Sequence, residues 1–171
     1  KANRKPMDEA LKVQLPLARR AADVFDFARA EYDGYEADDV IATLVRMAVE
    51  SGHEVTIISS DKDLMPLVCE TVTMFDPVRK RPIDIDAVRE KNGVHPRQMV
   101  DFLAMCGDAS DNIPGIAGVG PKKAAAMLKQ FGSLENILAS TDQITAPALQ
   151  GAVRRDGWKA RLGKSLVTLD E

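Results

Sequence analysis

One segment constrains the fold of this chain most: an apolar helical pattern followed directly by a short β-branched run. Residues 38–50 repeat apolar side chains at helical spacing and end at Ser51-Gly52, a common helix stop. The run HEVTIIS at 53–59 has the length and composition of a buried strand. A short helix at 61–68 and a second strand at 71–76 are predicted to follow. Strands that alternate with helices pair in parallel, so we predict an α/β fold with a mostly parallel sheet flanked by helices.

The N-terminal residues are predicted to add a helix and a strand to this core. Apolar side chains recur at helical spacing through residues 6–25, and Pro16 should kink or break that helix. A further strand is predicted at 27–31, ahead of the turn Asp33-Gly34. The segment PVRKRP at 77–82 is interpreted as a polar connection.

The pattern changes near residue 94, where helices and glycine-rich turns replace β-branched runs. We therefore predict three parts: the α/β core at 1–94, a helix-hairpin-helix region at 95–140 that begins with a helix at 96–106, and a C-terminal helical segment at 141–171. The last part carries scattered basic residues, which we interpret as a solvated helix face in preference to a DNA-facing one. They are Arg154, Arg155, Lys159, Arg161 and Lys164.

Composition excludes several classes of protein. No apolar run reaches the ~18 residues of a spanning helix, and no signal peptide is apparent, so we expect a cytoplasmic protein with no membrane partner. Cys69 and Cys106 are isolated, with no CxxC pattern, and are predicted to be buried thiols. The sequence starts at Lys1 and stops just after an apolar run, so we expect it to be a piece of a longer protein. Nothing in it indicates oligomerisation, and a monomer is expected.

Three groups of carboxylates lie at predicted element boundaries. Each group alone has a structural explanation, because acidic side chains favour the first turn of a helix, cap helices and form Asx turns. In a parallel sheet, however, segments that follow neighbouring strands open on the same edge, where ligands bind. The groups are Glu36, Asp38 and Asp39 at a helix start, Asp61 and Asp63 after the strand at 53–59, and Asp108 and Asp111 in CGDASDN.

A cluster of these carboxylates requires cations. Two carboxylates at ~4 Å repel by about 1 kcal/mol in water and more in a protein. Oxygen ligands without histidine or cysteine suit Mg²⁺ or Mn²⁺, and two such ions are a known device for phosphodiester cleavage. The net charge of −3 does not exclude a nucleic-acid partner, because setting the seven carboxylates aside leaves 19 acidic against 23 basic residues.

The segment GIAGVGPKKAAAML at 115–128 predicts an anion-binding turn before a helix. Lysines in a first turn oppose the helix dipole, but they are well placed if a phosphate docks there. Glycines let that phosphate approach backbone N–H groups, and lysines add attraction that does not depend on base sequence. A tight turn between two helices is the alternative. The candidate DNA-binding residues are Gly115, Gly118, Gly120, Lys122 and Lys123.

The motifs GYEADDV, SSDKDL, GDASDNIPG and GVGPKKA, in this order and spacing, resemble the 5′ nuclease (5′-3′ exonuclease) family. That family comprises the 5′ nuclease domain of bacterial DNA polymerase I and stand-alone flap endonucleases, with a PIN-like α/β core and an appended helix-hairpin-helix (H3TH) region. The similarity is close through about residue 140. It implies a two-metal nuclease of replication and repair that acts in the bacterial cytoplasm at the nucleoid. The implied substrates are branched or 5′-flap DNA and RNA primer–DNA duplexes.

The resemblance also implies roles for particular residues. Glu36, Asp38 and Asp39 match the residues that hold or support the first Mg²⁺ or Mn²⁺ ion, and the four other aspartates match those that serve the second. The hairpin would grip duplex DNA with a bound K⁺, and Lys123 stands where the family commonly has Thr. Lys1 and Arg4 match basic residues of the family's arch that neutralise the scissile phosphate, although the sequence alone favours an ordinary solvated terminus. Cooperation with or linkage to a DNA polymerase is also implied.

One departure from the family leaves alternatives open. The family begins with a strand that carries an Asp, and a further Asp precedes the arch; this sequence starts after both. If these residues were the whole molecule, we would expect a weak nuclease or none, and we favour the upstream part lying outside this sequence. A DNA-binding fragment that catalyses nothing is the second hypothesis. A PIN-type ribonuclease is the third, although it would not need the GVGPKK hairpin.

Overall fold

The computed structural model describes residues 6–170 of the chain. Its strands are β1 (Val55–Ile58), β2 (Val72–Asp76) and β3 (Arg81–Ile83). Short 3-10 helices lie at Lys62–Leu67, Pro96–Gln98 and Thr141–Gln143. The α-helices are α1 (Glu9–Lys12), α2 (Leu15–Val24), α3 (Ala37–Glu50), α4 (Ile85–Asn92), α5 (Met99–Cys106), α6 (Pro121–Phe131), α7 (Leu134–Ala139) and α8 (Pro147–Val167).

The sheet has the order β1-β2-β3 and is mixed. β1 and β2 are parallel, from Val55 opposite Val72 to Ile58 opposite Phe75. β2 and β3 are antiparallel. The predicted α/β fold with an appended helical region is confirmed, and so is the parallel pair that the sequence predicted.

The interpretation of 77–82 as a polar connection is wrong, because β3 begins within it, at Arg81. Residues 77–80 form a turn that folds the chain back onto β2, so the segment is the tip and second strand of a hairpin. The strand was not predicted from the sequence because a proline lies at its centre. Pro82 is tolerated because β3 is an edge strand of this sheet, where a missing N–H interrupts no central ladder.

The strand predicted at 27–31 is also wrong: no strand forms there. A strand requires a neighbouring backbone to pair with, and among residues 6–170 this stretch has none. Phe27 is 68% exposed, and its ring lies 6.1 Å from that of Phe25. The predicted helix at 6–25 is broken into α1 and α2, with Pro16 in the first turn of α2, where a proline needs no N–H partner.

The hydrophobic core continues from the sheet into the helical region. α5 is its centre, because nearly all its side chains are buried and it packs against α6, α7 and α8. Asp101 on α5 is a buried carboxylate whose Oδ2 accepts the N–H of Leu134 at 3.0 Å, at the start of α7. Its Oδ1 lies 2.7 Å from Nζ of Lys164 on α8, in an ion pair without hydrogen-bond geometry. α5 thus fixes the helices on either side of it.

No helix within residues 6–170 combines the length and apolar character needed to cross a membrane.

Candidate metal centre and nucleic-acid interface

The carboxyl end of β1 positions the first pair of carboxylates. The N–H of Ser59 donates to the carbonyl of Phe75 at 3.0 Å, which ties the end of β1 to β2. The hydroxyl of Ser59 accepts the N–H of Asp61 at 3.0 Å. Asp61 then caps the 3-10 helix, since its Oδ1 accepts the N–H of Asp63 at 3.1 Å. The capping role considered for Asp61 is therefore real, and it holds the side chain rigidly at the sheet edge.

The second group begins α3. Glu36 is the N-cap residue, and Asp38 and Asp39 lie in the first turn, where negative charge faces the positive end of the helix dipole. Asp39 Oδ2 accepts the N–H of Glu36 at 3.2 Å. The helix start therefore fixes the direction in which these carboxylates point.

The third group lies in the loop after α5. Asp108 and Ile113 exchange backbone hydrogen bonds of 2.9 and 2.7 Å. Asp108 Oδ1 accepts the N–H of Ser110 at 2.8 Å, which is the Asx turn expected as the structural explanation. Asn112 adopts a left-handed conformation, φ 60°, that closes the loop. Asp111 is presented from the tip of this closed loop.

These three segments converge on one cleft of about 450 Å³. Its wall also includes the end of α8 and the residues that follow it, 165–170. Of the seven predicted carboxylates only Asp108 does not line it; Asp108 instead forms a salt bridge with Lys62. The predicted carboxylates that line it are Glu36, Asp38, Asp39, Asp61, Asp63 and Asp111.

The sequence reading missed two residues of this site. Lys62 stands between Asp61 and Asp63, and its pairing with Asp108 places a cation beside the acidic rim. The motif SSDKDL contained a signal for an ion pair of this lysine, since a lysine flanked by two aspartates lies close to carboxylates. Asp170 also lines the cleft, and its N–H donates to Asp39 Oδ1 at 3.0 Å. No sequence signal connects residues so far apart.

The electrostatics of the cleft reflect crowding of like charge. Burial and the neighbouring Asp61 carboxylate raise the pKa of Asp63 to about 6. The hydrogen bonds from Lys62 and Ser110 hold the pKa of Asp108 well below its usual range. Burial works against the lysine charge, but the bond to Asp108 and the attraction of Asp108, Asp63 and Asp61 together outweigh it, so the pKa of Lys62 is raised. Carboxylates other than Asp108 thus line a cleft in which negative charge is costly unless a cation enters.

The donors fit a hard divalent cation, because the cleft offers carboxylate oxygens and no histidine or cysteine. As the side chains stand, no three acidic, histidine or cysteine residues within 6–170 converge closely enough to hold an ion between them. An ion would therefore draw the carboxylates inward from the walls. The predicted ligand set remains a prediction.

The glycine hairpin joins α5 to α6. Gly115 has φ 60°, and a Cβ built on it would lie 2.7 Å from backbone atoms of Cys106 and Gly107, so this glycine is required for close packing. Gly118 has φ 74°, and Gly120 caps α6. Both face open space, which leaves room for a phosphate to approach the backbone. The hairpin is thus tightly packed at one end and open at the other.

The two lysines of the hairpin differ. Lys123 Nζ donates to the carbonyl of Gly118 at 2.7 Å, so this side chain closes its own turn. Lys122 is exposed and forms no ion pair within residues 6–170. Lys1 and Arg4, the predicted phosphate-neutralising residues, lie outside the described residues.

α8 supports the hairpin from behind. Asp156 is buried, and its Oδ2 accepts the N–H of Ala117 at 3.3 Å. Arg155 and Lys159 pair with the same carboxylate at 2.7 and 2.9 Å. The scattered basic residues of this helix are therefore engaged by carboxylates of the chain: Arg154 by Asp142, Arg161 by Glu135, and Lys164 by Asp101, besides the two that pair with Asp156.

Two family models together match the whole chain. The model described as the 5′-3′ exonuclease N-terminal resolvase-like domain matches residues 1–93. The model described as the 5′-3′ exonuclease C-terminal SAM fold matches residues 94–171.

The chain is also similar to curated bacterial proteins. It is 44% identical over 169 residues to DNA polymerase I of Rhizobium leguminosarum, which covers 99% of this chain and 17% of the polymerase. It is 42% identical over 143 residues to a 5′-3′ exonuclease of Aquifex aeolicus, which covers 84% of this chain and 50% of the exonuclease. The chain thus spans only part of each relative.

Two solved structures share the fold. A bacteriophage T5 5′-exonuclease with bound divalent metal ions (zinc) is 26% identical, with a TM-score of 0.82 over 99% of this chain and 64% of that one. A T5 flap endonuclease variant in a pseudo-enzyme-product complex with DNA and metal ions is 25% identical, with a TM-score of 0.81 and the same coverage.

Proposed function

The chain belongs to the 5′-3′ exonuclease family, and from that premise we propose that it is a structure-specific 5′ nuclease that hydrolyses phosphodiester bonds of DNA. One observation carries the proposal: carboxylates from three separate segments line one cleft, in a chain that also carries the glycine hairpin. Structural roles such as capping explain each group singly. They do not explain why all three meet where their charges repel.

The acidic cleft is the proposed reaction centre. Two Mg²⁺ or Mn²⁺ ions bound there would supply Lewis-acid chemistry to a phosphodiester and a water molecule. Glu36, Asp38 and Asp39 would hold or support one ion, and the four remaining aspartates the other. Asp61 suits this role because its cap hydrogen bond keeps it at the sheet edge. Lys62 is proposed to orient Asp108 through their salt bridge.

The hairpin is proposed to grip the duplex beside the cut. The backbone N–H groups at its open Gly118 and Gly120 can donate to a phosphate oxygen, and exposed Lys122 adds attraction. A K⁺ ion held at the hairpin would add positive charge for a backbone phosphate. Lys123 is assigned a smaller part, since its ammonium already serves the turn.

The wider context is proposed from the relatives. The similarity to DNA polymerase I supports linkage to or cooperation with a polymerase, with flaps and RNA primers as substrates in the bacterial cytoplasm. The two family models meet between residues 93 and 94, which supports a boundary near residue 94 between the core and the hairpin region. A third segment at 141–171 and a monomeric state complete the proposal.

The test is cleavage of an end-labelled 5′-flap duplex in Mg²⁺ or Mn²⁺. We expect flap cleavage, reduced by roughly two orders of magnitude or more in Asp61→Asn, because loss of one well-placed charge at a reaction centre has effects of this size. Asparagine keeps an oxygen that can cap the 3-10 helix, so folding should be preserved. Asp86→Asn is the matched control, since that carboxylate is 91% exposed on α4.

Each alternative predicts a different result. Flap binding without cleavage in either metal would support the DNA-binding fragment that catalyses nothing. Preferential cleavage of single-stranded RNA would support the PIN-type ribonuclease. Equal activity of Asp61→Asn and the wild type would show that the acidic cleft is not the reaction centre.

A further inference from the structure

The turn between β2 and β3 is built around one buried carboxylate. Asp76 is 1% exposed, and its Oδ1 accepts the N–H groups of Val78 and Arg79 at 3.0 and 2.9 Å. Its Oδ2 accepts the Arg79 guanidinium at 3.0 Å. These bonds hold the pKa of Asp76 below its ordinary value. The turn is therefore a fixed structure and not a loose loop.

This turn displays three consecutive cations, Arg79, Lys80 and Arg81. The Arg79 side chain remains 61% exposed although it bonds to Asp76. Lys80 and Arg81 are exposed, and neither forms an ion pair within the described part of the chain. Lys80 also adopts a left-handed conformation, φ 52°, which favours glycine or asparagine. A lysine at this position carries a conformational cost that its own contacts do not offset.

The cationic turn lies at the same edge of the sheet as the acidic cleft. β1 and β2 are parallel, so the turn that follows Asp76 and the loop that carries Asp61 leave the sheet at one end. The 3.0 Å bond from Ser59 to Phe75 joins these two exits directly. Arg79 follows Phe75 by four positions and Asp61 follows Ser59 by two, which are spans of at most about 14 Å and about 7 Å. With the 3.0 Å bond between the two exits, the turn lies within roughly 24 Å of Asp61, about seven phosphate spacings of ~3.4 Å along the duplex axis.

We propose that the cationic turn Arg79–Arg81 is a phosphate-backbone contact for the nucleic acid held at the acidic cleft. The inference rests on the proposed nuclease function and adds a second grip, separate from the glycine hairpin. A cleft lined by seven carboxylates repels a polyanion until cations enter, so flanking positive charge must hold the strand in place. The cationic turn supplies that charge where the chain exits the sheet beside the cleft.

Protection of the sheet edge is the competing explanation. β3 is an edge strand of this sheet, and lysine, arginine and proline at such edges discourage pairing with other chains. Pro82 already serves this purpose at the centre of β3. Edge protection also does not require a lysine at a left-handed position, since a cation on the strand itself would suffice.

Lys80→Gly is the decisive variant because it removes the charge while relieving the backbone. The melting temperature should stay equal or rise, since glycine accepts positive φ without strain. We expect the Kd for a fluorescent 5′-flap duplex, measured near 0.1 M salt with Ca²⁺ present, to be roughly 3- to 10-fold larger than that of the wild type. The slope of log Kd against log salt should fall by about 1, as for one lost phosphate contact.

Arg46→Gln is the matched control for charge. Arg46 is paired with Glu50 at 3.0 Å, about 15 Å along α3 from Glu36 at the cleft. This variant should leave the Kd and its salt slope unchanged. If the wild type binds and cleaves the flap and Lys80→Gly binds it equally well, this inference alone is overturned. Increased self-association of Lys80→Gly would assign the turn to edge protection. A wild type that binds no flap DNA would overturn the proposed function as well.

Discussion

At the scale of single residues, Gly115 is where the hairpin is most sensitive to substitution. Its φ of 60° and the 2.7 Å approach of its missing Cβ to the backbone of Cys106 and Gly107 mean that a side chain would displace main-chain atoms. We expect Gly115→Ala to lower the free energy of unfolding by about 2 kcal/mol or more. Urea denaturation followed by circular dichroism measures the change.

Gly151→Ala supplies the opposite control. Gly151 lies within α8, and a Cβ there would meet nothing within 4 Å. Alanine is the better helix former, so this variant should be more stable by about 0.5–1 kcal/mol. If both alanines changed stability in the same direction, close backbone packing would not be the reason for Gly115.

The residues that the sequence predicted and those it missed differ in where their partners lie. Asp61 and Asp63 could be predicted to share the sheet edge, because a carboxylate directly after a strand has its location fixed by the strand. The contact of Asp170 with Asp39 spans 131 residues and follows only from the packing of α8. Local sequence determines the first kind of position, and tertiary structure the second.

At the scale of elements, α8 holds the hairpin through Asp156, whose side chain is only 2% exposed. Hydrogen bonds from Arg155 and Lys159 hold the pKa of Asp156 well below its ordinary value of 3.8. A lowered pKa in the folded state means that the ionised carboxylate stabilises the fold above the ordinary pKa, and that this stability is lost as the pH falls below it.

We therefore expect Asp156→Asn to melt several degrees below the wild type at pH 7, with a gap that narrows as the pH falls below about 4. Thermal unfolding between pH 3 and 7 measures the gap. Asp142→Asn is the control, because it breaks the ion pair of Asp142 with Arg154 of α8. The Asp142 side chain is 86% exposed, so little change in melting temperature is expected at any pH. A gap for Asp156→Asn that is constant with pH would rule out the carboxylate charge as its cause.

The elements also show why part of the fold could not be predicted from the sequence. α3 was predicted because its apolar side chains repeat at helical spacing, and β1 because a short β-branched run is typical of a buried strand; β2 follows the short helix after it. β3 has only three residues, one of them proline, and exists because the turn at Asp76 returns it to β2. The strand predicted at 27–31 has no partner among residues 6–170, and a local stretch of sequence cannot reveal whether a partner is present.

At the scale of the whole molecule, the net charge of −3 conceals a segregation of charge. Seven carboxylates line one cleft, while the basic residues of α8 are neutralised by carboxylates of the chain. Lys80 and Lys122, which form no ion pair within residues 6–170, lie on the turn beside the cleft and on the hairpin. A polyanion would therefore meet positive charge on turns outside an acidic centre.

Crowded carboxylates should make the stability of the molecule depend on divalent ions. Burial and Asp61 raise the pKa of Asp63 to about 6, so without metal its charge opposes folding at neutral pH. Asp63→Asn should then melt above the wild type in EDTA, by about 2–4 °C for a gain on the order of 1 kcal/mol. Mg²⁺ or Mn²⁺ at 100 times its Kd should stabilise the wild type by about 2.7 kcal/mol.

The order of the melting temperatures of the wild type and Asp63→Asn should therefore reverse when metal is added. Asp63→Asn has lost a charged ligand, so it should gain less stability from metal than the wild type, whereas Asp86→Asn should gain as much. Differential scanning calorimetry over a metal titration separates these cases. Equal gains for wild type and Asp63→Asn would place the bound ion outside the cleft. A reversed order would show that the bound ions offset the repulsion between the crowded acidic residues, which otherwise disfavours folding.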